Sequence, residues 1–218
     1  MIAPEAIRAA EAHLAAADTN MAALIARFGP CSLGQKPRDP FHVLCASIIG
    51  QQLSARAADT IQARVAKLIG APSGAFSPAL LLATSPESLR ACGLSNAKAR
   101  WLLDLAARSS DGRFDPTSLE ALDNAALIAA LDALPGIGLW TAEMMLIFAF
   151  DRLDVFSLGD VGLRRSLNRL YSKPGKDGKP KPLDDAKTLK IAKRWSPYRS
   201  VACWYLWRVI DGDVGTWT

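Results

Sequence analysis

Residues 134–142, LPGIGLWTA, set Pro135, Gly136 and Gly138 between two stretches of helical character and follow them at once with Trp140. Glycines at this spacing permit a tight turn and the close approach of another backbone. Amides at the start of the next helix, reinforced by its dipole, can then meet a phosphate. The same spacing also serves a plain helix–helix corner. It does not serve a dinucleotide fold, whose glycine fingerprint must follow a strand. Asp160 precedes the helical run VGLRRSL and is placed to cap it. Metal chemistry is poorly provided for. Cys31, Cys45, Cys92 and Cys203 form no C-x-x-C pair, and the histidines are His13 and His42 alone, so neither a zinc site nor an iron–sulfur cluster is expected. The cysteines read as buried structural thiols.

The elements that must carry these residues are helices. PEAIRAAEAHLAAAD is rich in good helix formers. TNMAALIARFGP offers Thr19 and Asn20 as caps and Gly29–Pro30 as a stop. Residues 39–70 read as two helices broken near Gly50 to Ser54, with Ser54 capping the second and Gly70 ending it. SPESLRACG, SNAKARWLLDLAARSS and DNAALIAALDAL precede the glycine turn. GLWTAEMMLIFAF follows it, and its apolar character on every side after Glu143 predicts a position at the centre of a domain. GDVGLRRSLNRLY, DDAKTLKIAKRW and SPYRSVACWYLWRVI complete an all-α chain without solenoid repeats. The basic segment SKPGKDGKPKPLDD, rich in Pro and Gly, reads as a loop.

The chain has 218 residues, 50% of them apolar, and a net charge of +5. That charge suits a polyanionic partner without identifying one. No apolar run reaches the length of a membrane span, and the first residues carry Glu5 and Glu11 where a signal peptide would be apolar. The expectation is a cytoplasmic monomer with no membrane partner.

LPGIGLWTAEMMLIFAFDRLDVFSLGDVGLRRSL resembles the helix-hairpin-helix (HhH-GPD) DNA glycosylases. SIIGQQLS, GLSNAKARWLLDLA and WSPYRSVACWYLW resemble further segments of their DNA-3-methyladenine glycosylase II branch, so the likeness runs over most of the chain. It implies one glycosylase domain over 1–218, with a central helical subdomain (38–134) and a terminal one (1–37 plus 135–218) around a cleft. It also implies that Gly136, Gly138 and Thr141 contact DNA, and that the main-chain carbonyls of Asp132, Leu134 and Ile137 hold a structural K+ or Na+. Gln52 falls at the family's intercalating position, flanked by Gln51 and Leu53. Asp160 falls at the catalytic aspartate. Trp140, Met144, Trp207 and Tyr198 fall around the base pocket, where electron-rich rings attract a cationic alkylated base. Met144 replaces an aromatic found in some relatives. Arg199, beside Tyr198, falls at the pocket wall or on a phosphate, and Asp154 and Asp151 read as structural.

The reaction so implied is hydrolysis of the bond between a damaged base and deoxyribose in double-stranded DNA, after the nucleotide has left the stack. Trp140 stands where lyase-active relatives carry lysine, and an indole cannot form a Schiff base. The resemblance therefore implies a monofunctional glycosylase that leaves an abasic site. Excision of uracil, hypoxanthine, ethenoadenine or a mismatched base, and non-catalytic DNA binding, are the alternatives.

Overall fold

The computed structural model describes residues 1–71, 74–173 and 181–211. Among them are thirteen helices and no strand. In chain order they are α1 (Pro4–Ala17), α2 (Thr19–Phe28), α3 (Pro40–Gly50), α4 (Ala55–Leu68), α5 (Pro78–Leu82) and α6 (Pro86–Ala91). Then come α7 (Asn96–Ser110), α8 (Pro116–Glu120), α9 (Asn124–Asp132), α10 (Leu139–Phe148), α11 (Val161–Tyr171), α12 (Asp185–Lys193) and α13 (Arg199–Asp211). A Ser or Asp side chain caps the start of α2 through α9, of α11 and of α12 by accepting a first-turn amide. Ser54 caps α4 as expected, and Gly70 follows that helix at φ 68°. The cap of α2 is Asp18, one residue before the Thr19 and Asn20 read from the sequence. The short helices α5 and α8 were not anticipated.

The chain forms two compact units, Arg38–Phe150 and Met1–Pro37 with Asp151–Thr218. Residues 135–150 group with the central segment, whereas the sequence division put them with the terminal one. The reason is packing: α10 lies on α9 and α3 and buries Thr141, Ala142 and every residue from Met144 to Phe148. It is the all-round apolar helix expected at the centre of its unit. Leu44, Ile48, Ile49, Leu102, Leu127 and Leu131 complete that core.

In the other unit α13 takes the central place, against α1, α2 and α11, with Val201 through Trp207 all buried. One carboxylate ties several parts together. Asp18 accepts from Asn20 N–H at 3.0 Å, Tyr171 Oη–H at 2.9 Å and Trp195 Nε1–H at 3.1 Å, and pairs with Arg194 at 2.8 Å. A buried charge so surrounded is compensated rather than stranded. The four cysteines are free and buried; burial pushes the Cys31 thiol up to about 12. No helix among the described residues is long and apolar enough to cross a membrane.

Candidate active site and nucleic-acid interface

The two glycines of the hairpin between α9 and α10 have different jobs. Gly136 has φ 81°, and a Cβ built there would lie 2.4 Å from ring atoms of Trp101. Only glycine lets that indole, projecting from α7, lie against the turn. Gly138 has φ −112° and ψ 173°, ordinary extended backbone, and a Cβ there would meet nothing within 4 Å. It is the N-cap of α10 and brings no capping side chain. The first helical bond runs from Ala142 N–H to the Gly138 carbonyl at 3.0 Å, so the amides of Leu139, Trp140 and Thr141 lie ahead of it. Leu139 and Trp140 are 56% and 46% exposed beside this helix start, while Thr141 is buried. The buried Ile137 anchors the turn from within.

A second turn is bonded to the first. Gln51 Nε2 donates to the Gly136 carbonyl at 2.7 Å. Lys98 Nζ donates to the carbonyls of Ile49 and Gln51 at 2.8 and 2.6 Å; burial holds its ammonium below the usual lysine range. Gln52 has φ 59°, and both it and Leu53 are exposed. Of the three residues expected at the wedge, Gln51 is thus engaged with the hairpin, and Gln52 and Leu53 project.

The other unit holds the acid. Asp160 caps α11, accepting from Leu163 N–H at 2.7 Å, and the same Oδ1 accepts Trp207 Nε1–H at 3.2 Å. The carboxylate is buried, and the next residue, Val161, is 69% exposed, so the acid lies just under a surface. A Cβ at Gly162 would come within 3.1 Å of Asp160 Oδ1, 3.3 Å of Trp207 Cδ1 and 2.8 Å of Ile210 Cδ1. Trp207 is buried and directs its indole N–H at the acid.

The loop leading to Asp160 is stapled to the start of α13. Ser200 Oγ accepts from Val155 N–H at 3.0 Å and donates to the Arg152 carbonyl. Arg199 clasps Asp154 with Nε to Oδ1 at 2.6 Å and Nη2 to Oδ2 at 3.0 Å. Burial alone would raise the Asp154 carboxyl; hydrogen bonds from Arg199 and Ser196 outweigh it and hold the group below the ordinary aspartate range. Asp154 is thus structural, as expected, and Arg199 is committed to it. Tyr198 is half-buried, its ring edge-on to His13 at 5.4 Å. Met144 is buried within α10. Residues 174–180 of the basic loop lie outside the described residues.

Sequence reasoning missed Lys98, Trp101, Gly162 and Ser200. Gly162 carried a visible signal, a glycine inside an otherwise good helix beside a candidate acid. The other three act through contacts between distant parts of the chain.

An all-helical scaffold with a glycine hairpin presenting a helix start, and an indole-braced carboxylate capping another helix, defines a helix-hairpin-helix protein. The chain belongs to the HhH-GPD superfamily of base excision DNA repair proteins, whose family model matches residues 45–197. It is 33% identical to DNA-3-methyladenine glycosylase 1 of Schizosaccharomyces pombe, over 91% of this chain and 86% of that protein. Among solved structures, the DNA-3-methyladenine glycosidase of Bacillus halodurans is 38% identical, with TM-score 0.76, covering 90% of this chain and 87% of the other. The S. pombe 3-methyladenine DNA glycosylase Mag1 in complex with abasic DNA is 32% identical, with TM-score 0.75, covering 96% and 98%.

Proposed function

We infer that this protein is a DNA glycosylase that excises alkylated bases of the 3-methyladenine type from double-stranded DNA in base excision repair. The observation that carries the reading is Asp160, a buried carboxylate whose Oδ1 is fixed by one amide and one indole N–H in a chain of this family. As the C1′–N bond breaks, its electron pair leaves with the base and positive charge develops on the sugar. A fixed carboxylate stabilises that charge without reorganising. Water then adds to C1′ and loses a proton, leaving an abasic site. An alkylated base that is already cationic departs neutral, so no strong general acid is demanded. The exposed ring of Trp140 suits a cationic base. Gly138 and the helix start behind it receive a phosphate, and Gln52 fills the gap left by the flipped nucleotide.

A monovalent cation fits the hairpin. Pro135 has no N–H to give the carbonyls of Leu131 and Asp132. The Leu134 carbonyl accepts from Ile137 N–H at 3.1 Å and keeps a second lone pair. With the Ile137 carbonyl, those of Asp132 and Leu134 would offer K+ or Na+ a hard, all-oxygen donor set that stiffens the turn.

The test is a lesion panel. Purified protein is incubated with duplexes carrying 3-methyladenine, ethenoadenine, hypoxanthine or uracil, with and without alkali, and in parallel with borohydride. Release of 3-methyladenine, strand breakage only after alkali, and no covalent adduct at the rate of base release are expected. Uracil or hypoxanthine as the preferred substrate would overturn the substrate class. A stoichiometric lysine adduct would overturn the monofunctional chemistry.

A further inference from the structure

The wedge turn has a conformation that its sequence disfavours. Gln51 has φ −50° and ψ 132°, Gln52 has φ 59°, and Leu53 N–H bonds the Gly50 carbonyl at 3.1 Å. These values describe a type II turn, whose third residue occupies the left-handed region and is ordinarily glycine. Here it is glutamine. A type I turn over the same four residues keeps the closing bond and needs no positive φ. The two forms differ by a flip of the central peptide, between Gln51 and Gln52.

The carbonyl of that peptide is the Gln51 oxygen, and it receives the 2.6 Å bond from Lys98 Nζ. The same ammonium bonds the Ile49 carbonyl at 2.8 Å, at the C-terminal end of α3, where the helix dipole favours a cation. A flip would carry the Gln51 oxygen to the opposite side of the turn and break its bond to Lys98. The Gln51 side chain meanwhile fixes the turn to the hairpin through the Gly136 carbonyl.

We propose that Lys98 is a positioning residue for base excision: its ammonium locks the Gln51–Gln52 peptide in the type II orientation and so aims the Gln52 side chain into the duplex. The inference rests on the reading of Gln52 as the wedge. Lys98 itself touches neither DNA nor the reacting atoms in this role. Without it the turn relaxes toward type I, and Gln52 leaves the region that non-glycine residues avoid.

The test is a double-mutant cycle read by single-turnover excision of 3-methyladenine from duplex DNA. Wild type, Lys98→Met, Gln52→Ala and the double variant are compared, with melting temperature and affinity for undamaged duplex measured alongside. Lys98→Met is expected to slow excision about tenfold, Gln52→Ala is expected to slow it, and the double variant should be no slower than Gln52→Ala, since aiming is irrelevant once the side chain is gone. If Lys98→Met slows excision by the same factor in both backgrounds, Lys98 is merely structural and the proposal is wrong. Unaltered excision by Lys98→Met while Gln52→Ala is slow also overturns it, and leaves the wedge assignment standing. Unaltered excision by Gln52→Ala overturns the wedge assignment itself. Should Lys98→Met fail to fold, the cycle is run with Lys98→Gln, under the same criteria.

Discussion

Gly138→Asp separates phosphate binding from folding at the hairpin. The backbone at Gly138 is extended with negative φ, and a Cβ there meets nothing within 4 Å, so aspartate enters without strain. It also supplies the cap that α10 lacks, which stabilises by a few tenths of a kcal/mol up to about 1 kcal/mol over glycine. The melting temperature should hold or rise. DNA binding should move the other way. A carboxylate about 4 Å from a phosphate repels it by about 4 kcal/mol at an effective dielectric of about 20. Screening and side-chain movement reduce that to about 2 kcal/mol, or roughly thirtyfold in Kd. Fluorescence anisotropy with labelled duplex at several salt concentrations reads both the affinity and its salt slope, which should shrink by about one. Gly138→Ser, which caps without charge, should bind more tightly than the Asp variant. If both variants bind duplex at low salt with wild-type affinity, no phosphate sits on this helix start and the hairpin is only a corner. Gly136 cannot serve for this test, because a Cβ at φ 81° would run into the Trp101 ring.

Three further outcomes are expected. Asp160→Asn keeps an N-cap oxygen but removes the charge; single-turnover excision should fall by about 10²–10³-fold while affinity for undamaged duplex stays near wild type, and excision at the wild-type rate would remove Asp160 from the mechanism. Gly162→Ala presses a methyl on Ile210, Asp160 and Trp207; excision and melting temperature should both fall, by about 1–3 kcal/mol in stability, and a variant unchanged in both would show that the carboxylate needs no such tight seat. The Asp154 carboxyl is held below its ordinary 3.8, so its contribution to stability is present above that value and is lost as pH falls through the lower folded value; between about pH 5 and pH 3 the melting temperature of wild type should fall more steeply than that of Asp154→Asn, and parallel curves would refute the assignment.

Much of the helical frame was legible because its caps and stops are local. Ser54, Gly70 and the alternation of polar starts with apolar faces all act within one turn of the chain. The shift from Thr19 to Asp18 has a physical cause, since Asp18 is also the partner of Tyr171, Trp195 and Arg194. The helices α5 and α8 span only one turn or so, too few residues for a periodic pattern. At the site, the sequence distinguished an acid at a helix start but not its brace, because Trp207 lies 47 residues from Asp160. The two glycines of the hairpin look alike in sequence; only the ring of Trp101 tells them apart. In sequence Gln51 reads only as a flank of Gln52, because the partner of its side-chain amide, the Gly136 carbonyl, lies 85 positions away.

The central helix of the discontinuous unit, α13, is the last of its described helices to be made. Met21 and Leu24 of α2 are buried in the finished unit, yet their packing partner α13 begins only at Arg199. At about 5–20 residues per second, the ribosome delivers α13 roughly 10–30 s after α2. Over that interval residues 38–150 emerge as one continuous segment, while the faces of α1 and α2 that pack on α13 stay uncovered. The burial of α1 and α2 against α13 therefore comes only after residues 29–198 have been made, which leaves these faces uncovered longer than any part of the continuous unit.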